Sequence, residues 1–207
     1  MMVKVKICGI TNVRDARFAA SAGADVLGFN FVRGTPRCMT PEQVKAIVLE
    51  LPPFVARAGV FSNADHEKVA EIMDFCGLDY AQLHGLESPS YCARLEGRRL
   101  IKAIRVRSAD DLHNLQRYNV EAFLLDTYVA DVPGGTGVTF DWGIARQASN
   151  QNRVILAGGL TPENVADAIL AARPYAVDVC SGVEEEPRKK SKELVEAFIR
   201  IAKSVDV

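Results

Sequence analysis

Short apolar runs recur along this chain at near-regular intervals, each followed by a longer stretch in which apolar residues return every three or four positions. The runs read as strands over Val3–Cys8, Val26–Phe31, Val55–Phe61, Tyr80–His84, Leu100–Val106, Ala122–Asp126, Val154–Ala157 and Ala176–Val179. The stretches between them read as amphipathic helices, several with a recognisable start. Asn12 precedes VRDARFAASAG, which closes on Gly23. Thr40-Pro41 opens EQVKAIVLEL and Thr161-Pro162 opens ENVADAILAA, each an N-cap followed by proline in the first turn. Ser108 precedes ADDLHNLQRY, and Ser191 precedes KELVEAFIRIAK.

Eight strand–helix units in 207 residues come to about 26 residues each, close to the shortest workable βα repeat. Strict alternation of this kind implies a parallel sheet with right-handed crossovers. Eight units close naturally into a compact (β/α)8 barrel of the TIM type, an α/β fold expected to form one domain over residues 1–207. An open doubly wound sheet is the rival, disfavoured because no G-x-G-x-x-G follows the first strand.

Composition narrows the class of partner. Lys and Arg number 25 against 26 Asp and Glu, a net charge of −1, so nothing favours nucleic acid. No apolar stretch approaches bilayer length and the N-terminus has no signal-peptide h-region, so no membrane partner is expected and the location reads as cytoplasmic. Cysteines at 8, 38, 76, 92 and 180 are odd in number and scattered, and His66, His84 and His113 show no ligand spacing. Neither a disulfide framework nor a metal site is expected.

In a barrel of this kind the chemistry sits at the C-terminal ends of the strands, so the polar residues there carry the argument. The first strand ends in Cys8-Gly9, the fourth in Gln82-Leu83-His84, and the sixth in Asp126 after two leucines. Alternation puts Lys4, Lys6 and Cys8 on one face and Val3, Val5 and Ile7 on the other. The apolar set suits the helix layer, which leaves the lysine–cysteine set for the barrel interior. A free thiol titrates near 8.5, and an ammonium such as that of Lys6 favours the thiolate. Alone, Cys8 favours a small buried hydrophobe, and Asp126 is as readily a structural carboxylate as a functional one. Pairing the two across a barrel mouth tips both toward chemistry.

The loops after strands seven and eight are different in kind. Gly158-Gly159 and Ser181-Gly182 expose backbone N–H groups beside helix N-termini, where this fold usually binds phosphate. Gly135-Thr136-Gly137 reads as a flexible flap after strand six. Arg37 is the candidate carboxylate fork. Lys6, Gln82, His84 and Asp178 stand as supporting positions, and EEEPRKK at 184–190 reads as a solvated charge run.

With these residues in place the sequence resembles the phosphoribosylanthranilate isomerases of tryptophan biosynthesis, over essentially the whole chain. The markers are KICGIT at 6–11, GF-x-F at 28–31, TPR at 35–37, QLHG at 82–85, LLDT at 124–127, GGTG-x-x-FDW at 134–142, LAGGLTPENV at 156–165 and DVCSGVE at 178–184. The resemblance implies an Amadori rearrangement of a phosphorylated small molecule, N-(5'-phosphoribosyl)anthranilate, with no metal or redox cofactor. It implies Asp126 as general acid, Cys8 as general base and Arg37 as holder of the anthranilate carboxylate. The backbones at Gly158-Gly159 and Ser181-Gly182 would hold the phosphate, with Gly135-Thr136-Gly137 nearby. Cys180 and Thr35 stand where the family more often has serine. Both are small, near-isosteric changes.

Two other readings share the phosphate loops. Another phosphosugar barrel would need either a metal-ligand set or a longer N-terminal extension with a catalytic lysine–glutamate arrangement. A non-catalytic sensor of phosphorylated ligands would not need the acid–base pair. Monomer and homodimer are both compatible with the sequence.

Overall fold

The computed structural model describes residues 2–127 and 141–206. Eight parallel strands close on themselves in chain order: β1 (Lys4–Ile7), β2 (Val26–Asn30), β3 (Ala56–Phe61), β4 (Tyr80–Leu83), β5 (Leu100–Val106), β6 (Ala122–Thr127), β7 (Val154–Leu156) and β8 (Ala176–Val179). All eight expected strands are present, and no strand end differs from the expected one by more than a single residue. Closure is made by β1 against β8, with Lys6 opposite Asp178 and Ile7 opposite Val179. The ladder runs one rung further, because Cys8 N donates to Val179 O at 2.8 Å.

Two apolar clusters explain why the runs are nearly continuous in hydrophobicity. One lies between barrel and helices and holds Val3, Val5 and Ile7 with Phe29, Leu125 and Phe198. The other fills the barrel lumen with Ile101, Ala103, Ala122, Leu124, Ile155, Ala157 and Ala176. Strands in a parallel barrel are buried on both faces. A charged residue inside such a strand therefore has to find a partner.

The helices are α1 (Val13–Ser21), α2 (Pro41–Val48), α3 (His66–Cys76), α4 (Pro89–Ala93), α5 (Trp142–Ser149), α6 (Val165–Ala172) and α7 (Lys192–Ser204). Asn12 caps α1 through Asp15 N, Thr40 closes a capping box with Gln43 on α2, and Ser191 caps α7.

Three expectations need correction. Ser108 does cap, in a reciprocal box with Asp111, but two short 3-10 turns come next, Ala109–Leu112 and Leu115–Arg117, in place of an α-helix. The segment carries Asp110, Asp111, His113 and Asn114, which are poor interior helix residues. The helix after Thr161-Pro162 begins three residues later than the cap-and-proline signal suggests. Asn164 Oδ1 accepts from Thr161 N and its Nδ2 donates to Gly159 O, so the segment first makes a turn that serves the preceding loop.

The run at 184–190 is solvated only at 185–189; its two ends turn inward. It folds into an antiparallel hairpin, β9 (Glu184–Glu186) with β10 (Lys189–Lys190), and buries both Glu184 and Lys190. The hairpin straps down its surroundings. Lys190 N donates to Asp15 Oδ2 at 2.9 Å, Thr11 Oγ1 to Arg188 O at 2.7 Å, and Arg188 Nη1 to Pro36 O at 2.8 Å.

Candidate active site

The C-terminal mouth of the barrel opens into a cavity of about 200 Å³ that Cys8, Arg37, Gln82, His84, Asp126, Gly158, Gly159, Asp178, Cys180, Ser181 and Gly182 all help to line. Most of the predicted site is thereby brought together. Gly135, Thr136 and Gly137 lie outside the described residues.

The β1–β8 seam builds one corner. Lys6 is only 2% exposed, and its Nζ donates to Asp178 Oδ1 at 2.9 Å. One rung higher on the same face stand Cys8 and Cys180. The sulfur of Cys8 presses on β2, where a Cβ at Gly28 would come within 2.7 Å of it. Gly9 leaves the strand with φ +73, and a Cβ there would meet Arg37 Cδ at 2.6 Å and Cys180 Sγ at 2.7 Å. Glycine is therefore fixed at position 9 by backbone angle and by crowding alike.

The Cys180 thiol, donating to the Cys8 sulfur, holds the Cys8 thiol well below its ordinary range. Burial opposes that shift, and the Lys6 ammonium adds to it. Cys180 is pushed the other way, by the same contact and by burial. For Asp178, burial is the largest influence and lifts the carboxyl to about 7 against the pull of Lys6. The seam thus holds a thiol in surroundings that favour its thiolate, a buried ammonium and a carboxyl near its midpoint at neutral pH.

Asp126 forms the opposite corner. Its Oδ1 accepts from Thr127 N at 2.9 Å, and its Oδ2 lies 3.3 Å from His84 Nε2. Gln82, buried on β4, donates from Nε2 to His84 Nδ1 at 3.1 Å. Nδ1 accepts there, which leaves Nε2 to face Asp126 Oδ2. Gly158, with φ +86, passes so close that a Cβ would stand 2.3 Å from Thr127 Oγ1 and 2.9 Å from Asp126 Oδ1. The expected phosphate-loop glycine is thus also the residue that lets the acid corner close.

The anion loops interlock. Gly158 and Gly159 are both left-handed, at φ +86 and +66. A Cβ at Gly182 would fall 2.0 Å from Leu160 O, so the loop after β8 lies directly against the loop after β7. Arg37 is at the mouth as expected, but its fork is not free. Nε donates to Glu184 Oε1 at 2.8 Å and Nη2 bonds Glu184 Oε2. Glu184 also takes Lys190 Nζ at 3.0 Å, and that ammonium reaches Cys180 O at 2.9 Å.

Several residues of this machinery escape sequence reasoning. Glu184 and Lys190 sit in a run of like-looking charges and have no local signal. Lys102 and Glu87 form a second buried pair at 2.8 Å. Lys102 Nζ also holds Leu83 O and Gly85 O, and Glu87 accepts from Asn63 N and Gly85 N. That cluster fixes the turn from which His84 projects. A lysine inside the apolar strand LIKAIRV was the available clue for Lys102.

Comparison with known proteins gives a consistent answer. The family model described as N-(5'phosphoribosyl)anthranilate (PRA) isomerase matches residues 5–201. An N-(5'-phosphoribosyl)anthranilate isomerase from Pelobacter propionicus is 52% identical over 202 residues, covering 98% of this chain and 96% of that protein. The crystal structure of phosphoribosyl anthranilate isomerase from Thermotoga maritima superposes with a TM-score of 0.92 at 42% identity, covering 99% of this chain and 100% of that one. A phosphoribosyl anthranilate isomerase solved in complex with reduced 1-(o-carboxyphenylamino)-1-deoxyribulose 5-phosphate gives a TM-score of 0.88 at 41% identity over 99% of this chain and 100% of its own.

Proposed function

The chain belongs to the N-(5'-phosphoribosyl)anthranilate isomerase family, and from that premise we infer that it rearranges N-(5'-phosphoribosyl)anthranilate to 1-(2-carboxyphenylamino)-1-deoxyribulose 5-phosphate in tryptophan biosynthesis, with Asp126 and Cys8 as its acid and base. In this reading Asp126 protonates the furanose ring oxygen. The C1'–O bond breaks as the anthranilate nitrogen lone pair closes a C=N bond. The Cys8 thiolate then removes the proton from C2', giving an enolamine that tautomerises to the ketone. Acid and base act on atoms close together in the sugar, so they must face each other across a small cavity in opposite protonation states.

The observation that carries the assignment is the lining of one cavity by both groups. Cys8 adds an environment that favours its thiolate: a donating thiol on one side and a buried ammonium on the other. His84 and Gln82 keep the Asp126 carboxyl oriented. Arg37 presents its remaining donors to the anthranilate carboxylate. Glu184 engages Nε and Nη2, which leaves the end of the guanidinium that carries Nη1 for a second carboxylate. The phosphate is taken by the backbone at Gly158-Gly159 and Ser181-Gly182, and the segment 135–137 is proposed to serve the same end.

Loss of phosphoribosylanthranilate fluorescence tracks turnover directly. Wild-type activity with a kcat reduced by about 10²–10⁴ in both Cys8→Ser and Asp126→Asn supports the roles. Variants that turn over at the wild-type rate would remove them, and an inactive wild type would remove the function.

A further inference from the structure

Of the five cysteines, only Cys8 and Cys180 have been brought against each other. Lys6 and Asp178 are directly opposite across the β1–β8 seam, and the Cys8 N to Val179 O bond carries the same register upward. Cys8 and Cys180 are therefore the next inward-facing pair. Neighbouring parallel strands lie about 4.8 Å apart, inside the Cα separation of roughly 4.4–6.8 Å that a disulfide spans. A Cβ at Gly9 would stand 2.7 Å from the Cys180 sulfur and one at Gly28 2.7 Å from the Cys8 sulfur, so both thiols crowd the same corner of the seam. Both are half-buried in the wall of an open cavity. Cys76 and Cys92 are buried elsewhere, and burial pushes both thiols up, to about 11 for Cys76.

We propose that Cys8 and Cys180 form a reversible oxidation site, in which a peroxide joins them as a disulfide and thereby withdraws the catalytic base. The Cys8 thiolate attacks one peroxide oxygen, the O–O bond breaks, and Cys8 becomes a sulfenic acid while hydroxide leaves. The Cys180 sulfur then attacks the Cys8 sulfur, the S–O bond breaks, and water leaves with the Cys180 proton. Two thiols are oxidised to one disulfide and one hydrogen peroxide is reduced to two waters. A dithiol reductant reverses the bond by exchange.

Three features favour the pair over a lone oxidised thiol. The attacking sulfur shares its inward strand face with the buried Lys6 ammonium, a cation that favours its thiolate. The resolving sulfur belongs to its cross-strand neighbour, so sulfenic acid is trapped before further oxidation. Lys190 Nζ stands 3.9 Å from Cys180 Sγ and 2.9 Å from its carbonyl oxygen, a cation placed to favour the second thiolate once the first has been consumed.

The disulfide itself does not depend on the role given to Cys8, but the loss of activity does, so the test reads them separately. Purified enzyme is treated with hydrogen peroxide at low molar excess, then alkylated and digested without reductant. The expected result is a crosslinked peptide pair containing Cys8 and Cys180, a mass loss of two hydrogens, and at least a tenfold fall in turnover that dithiothreitol restores. In Cys180→Ser, whatever its basal rate, the same treatment should give loss that dithiothreitol does not restore, because sulfenic acid proceeds to sulfinic acid. Absence of the 8–180 crosslink, or equally reversible inactivation in Cys180→Ser, overturns the proposal. A crosslink with full turnover upholds the oxidation site and overturns Cys8 as base.

Discussion

Lys4 and Lys6 are two residues apart on the same face of the same strand, and each pairs with an aspartate, yet they belong to different environments. Lys4 lies toward the strand starts, where its side chain is 52% exposed and meets Asp25 at 3.0 Å. It helps line a cavity at that end with Tyr80, Arg99, Glu121 and Arg153. Those charges are mostly solvated, with Arg99 lying over Tyr80 and Arg153 over Tyr175. Lys6, one step inward, is sealed against Asp178 beneath the opposite mouth. The two ends of the barrel thus carry the same residue types under different dielectric conditions. Exposed pairs leave chemistry and stability almost untouched, whereas buried ones set the charge of their neighbours.

The contrast meets its most severe test at the acid corner. Gly158→Ala should displace Asp126 and lower kcat by about 100-fold or more, because misplacing a catalytic group by an ångström costs that much. Steady-state kinetics beside a thermal melt will show it, and an unchanged kcat means the close approach is dispensable. Next, Lys6→Met strands Asp178 and should cost about 3–5 kcal/mol at pH 8, measured by denaturant unfolding. Lys6 is the pull on that carboxyl, so its loss sends Asp178 higher still. The folded variant then holds a proton that the unfolded chain releases, and its stability falls as pH rises. The same variant should shift the titration of Cys8 alkylation to higher pH, since a supporting cation is gone. An unshifted titration would free Cys8 from Lys6.

A gentler probe is acid. Burial pushes Glu87 and Glu184 up, but Lys102 outweighs it for the first, and Arg37 with Lys190 outweighs it for the second, so both end below the usual carboxylate range. Their stabilisation is complete above the unfolded value near 4.5 and is lost as pH falls through the lower folded values. Unfolding free energy should drop over that window, and Glu184→Gln should flatten the slope. Smallest of all, Lys4→Met should change stability by no more than about 1 kcal/mol and leave kcat alone. A large effect there would erase the contrast between the two ends.

A feature was legible in the sequence where its cause is local. Strands buried on both faces must be apolar runs, so all eight announce themselves. The placement of Cys8 and Asp126 at the barrel mouth was readable from alternation plus an address at a strand end. Caps were readable too, since Asn12, Thr40, Ser108 and Ser191 bond within their own turn. The structure downstream of a cap is less local. Ser108 starts 3-10 turns because the residues after it compete with the helix, and Asn164 delays α6 because it serves Gly159. The strap at 184–190 was hidden for the same reason. Glu184 finds Arg37 147 positions away, and nothing in EEEPRKK marks which glutamate goes inward. Arg37 was placed correctly but pictured free, because its partner lay in that strap.

The seam between β1 and β8 has one more consequence, for the order in which the protein becomes active. Cys8 is made well before Asp178, Cys180, Glu184 and Lys190, which lie far downstream of it. A nascent barrel lacking β8 has neither the thiol that donates to Cys8 nor the partner that keeps Lys6 beside it. Ring closure is a contact of the longest sequence separation the fold offers, and such contacts form late. Cys8 therefore meets Cys180 and a pinned Lys6 only when strand β8 docks, and the role proposed for it waits on that step.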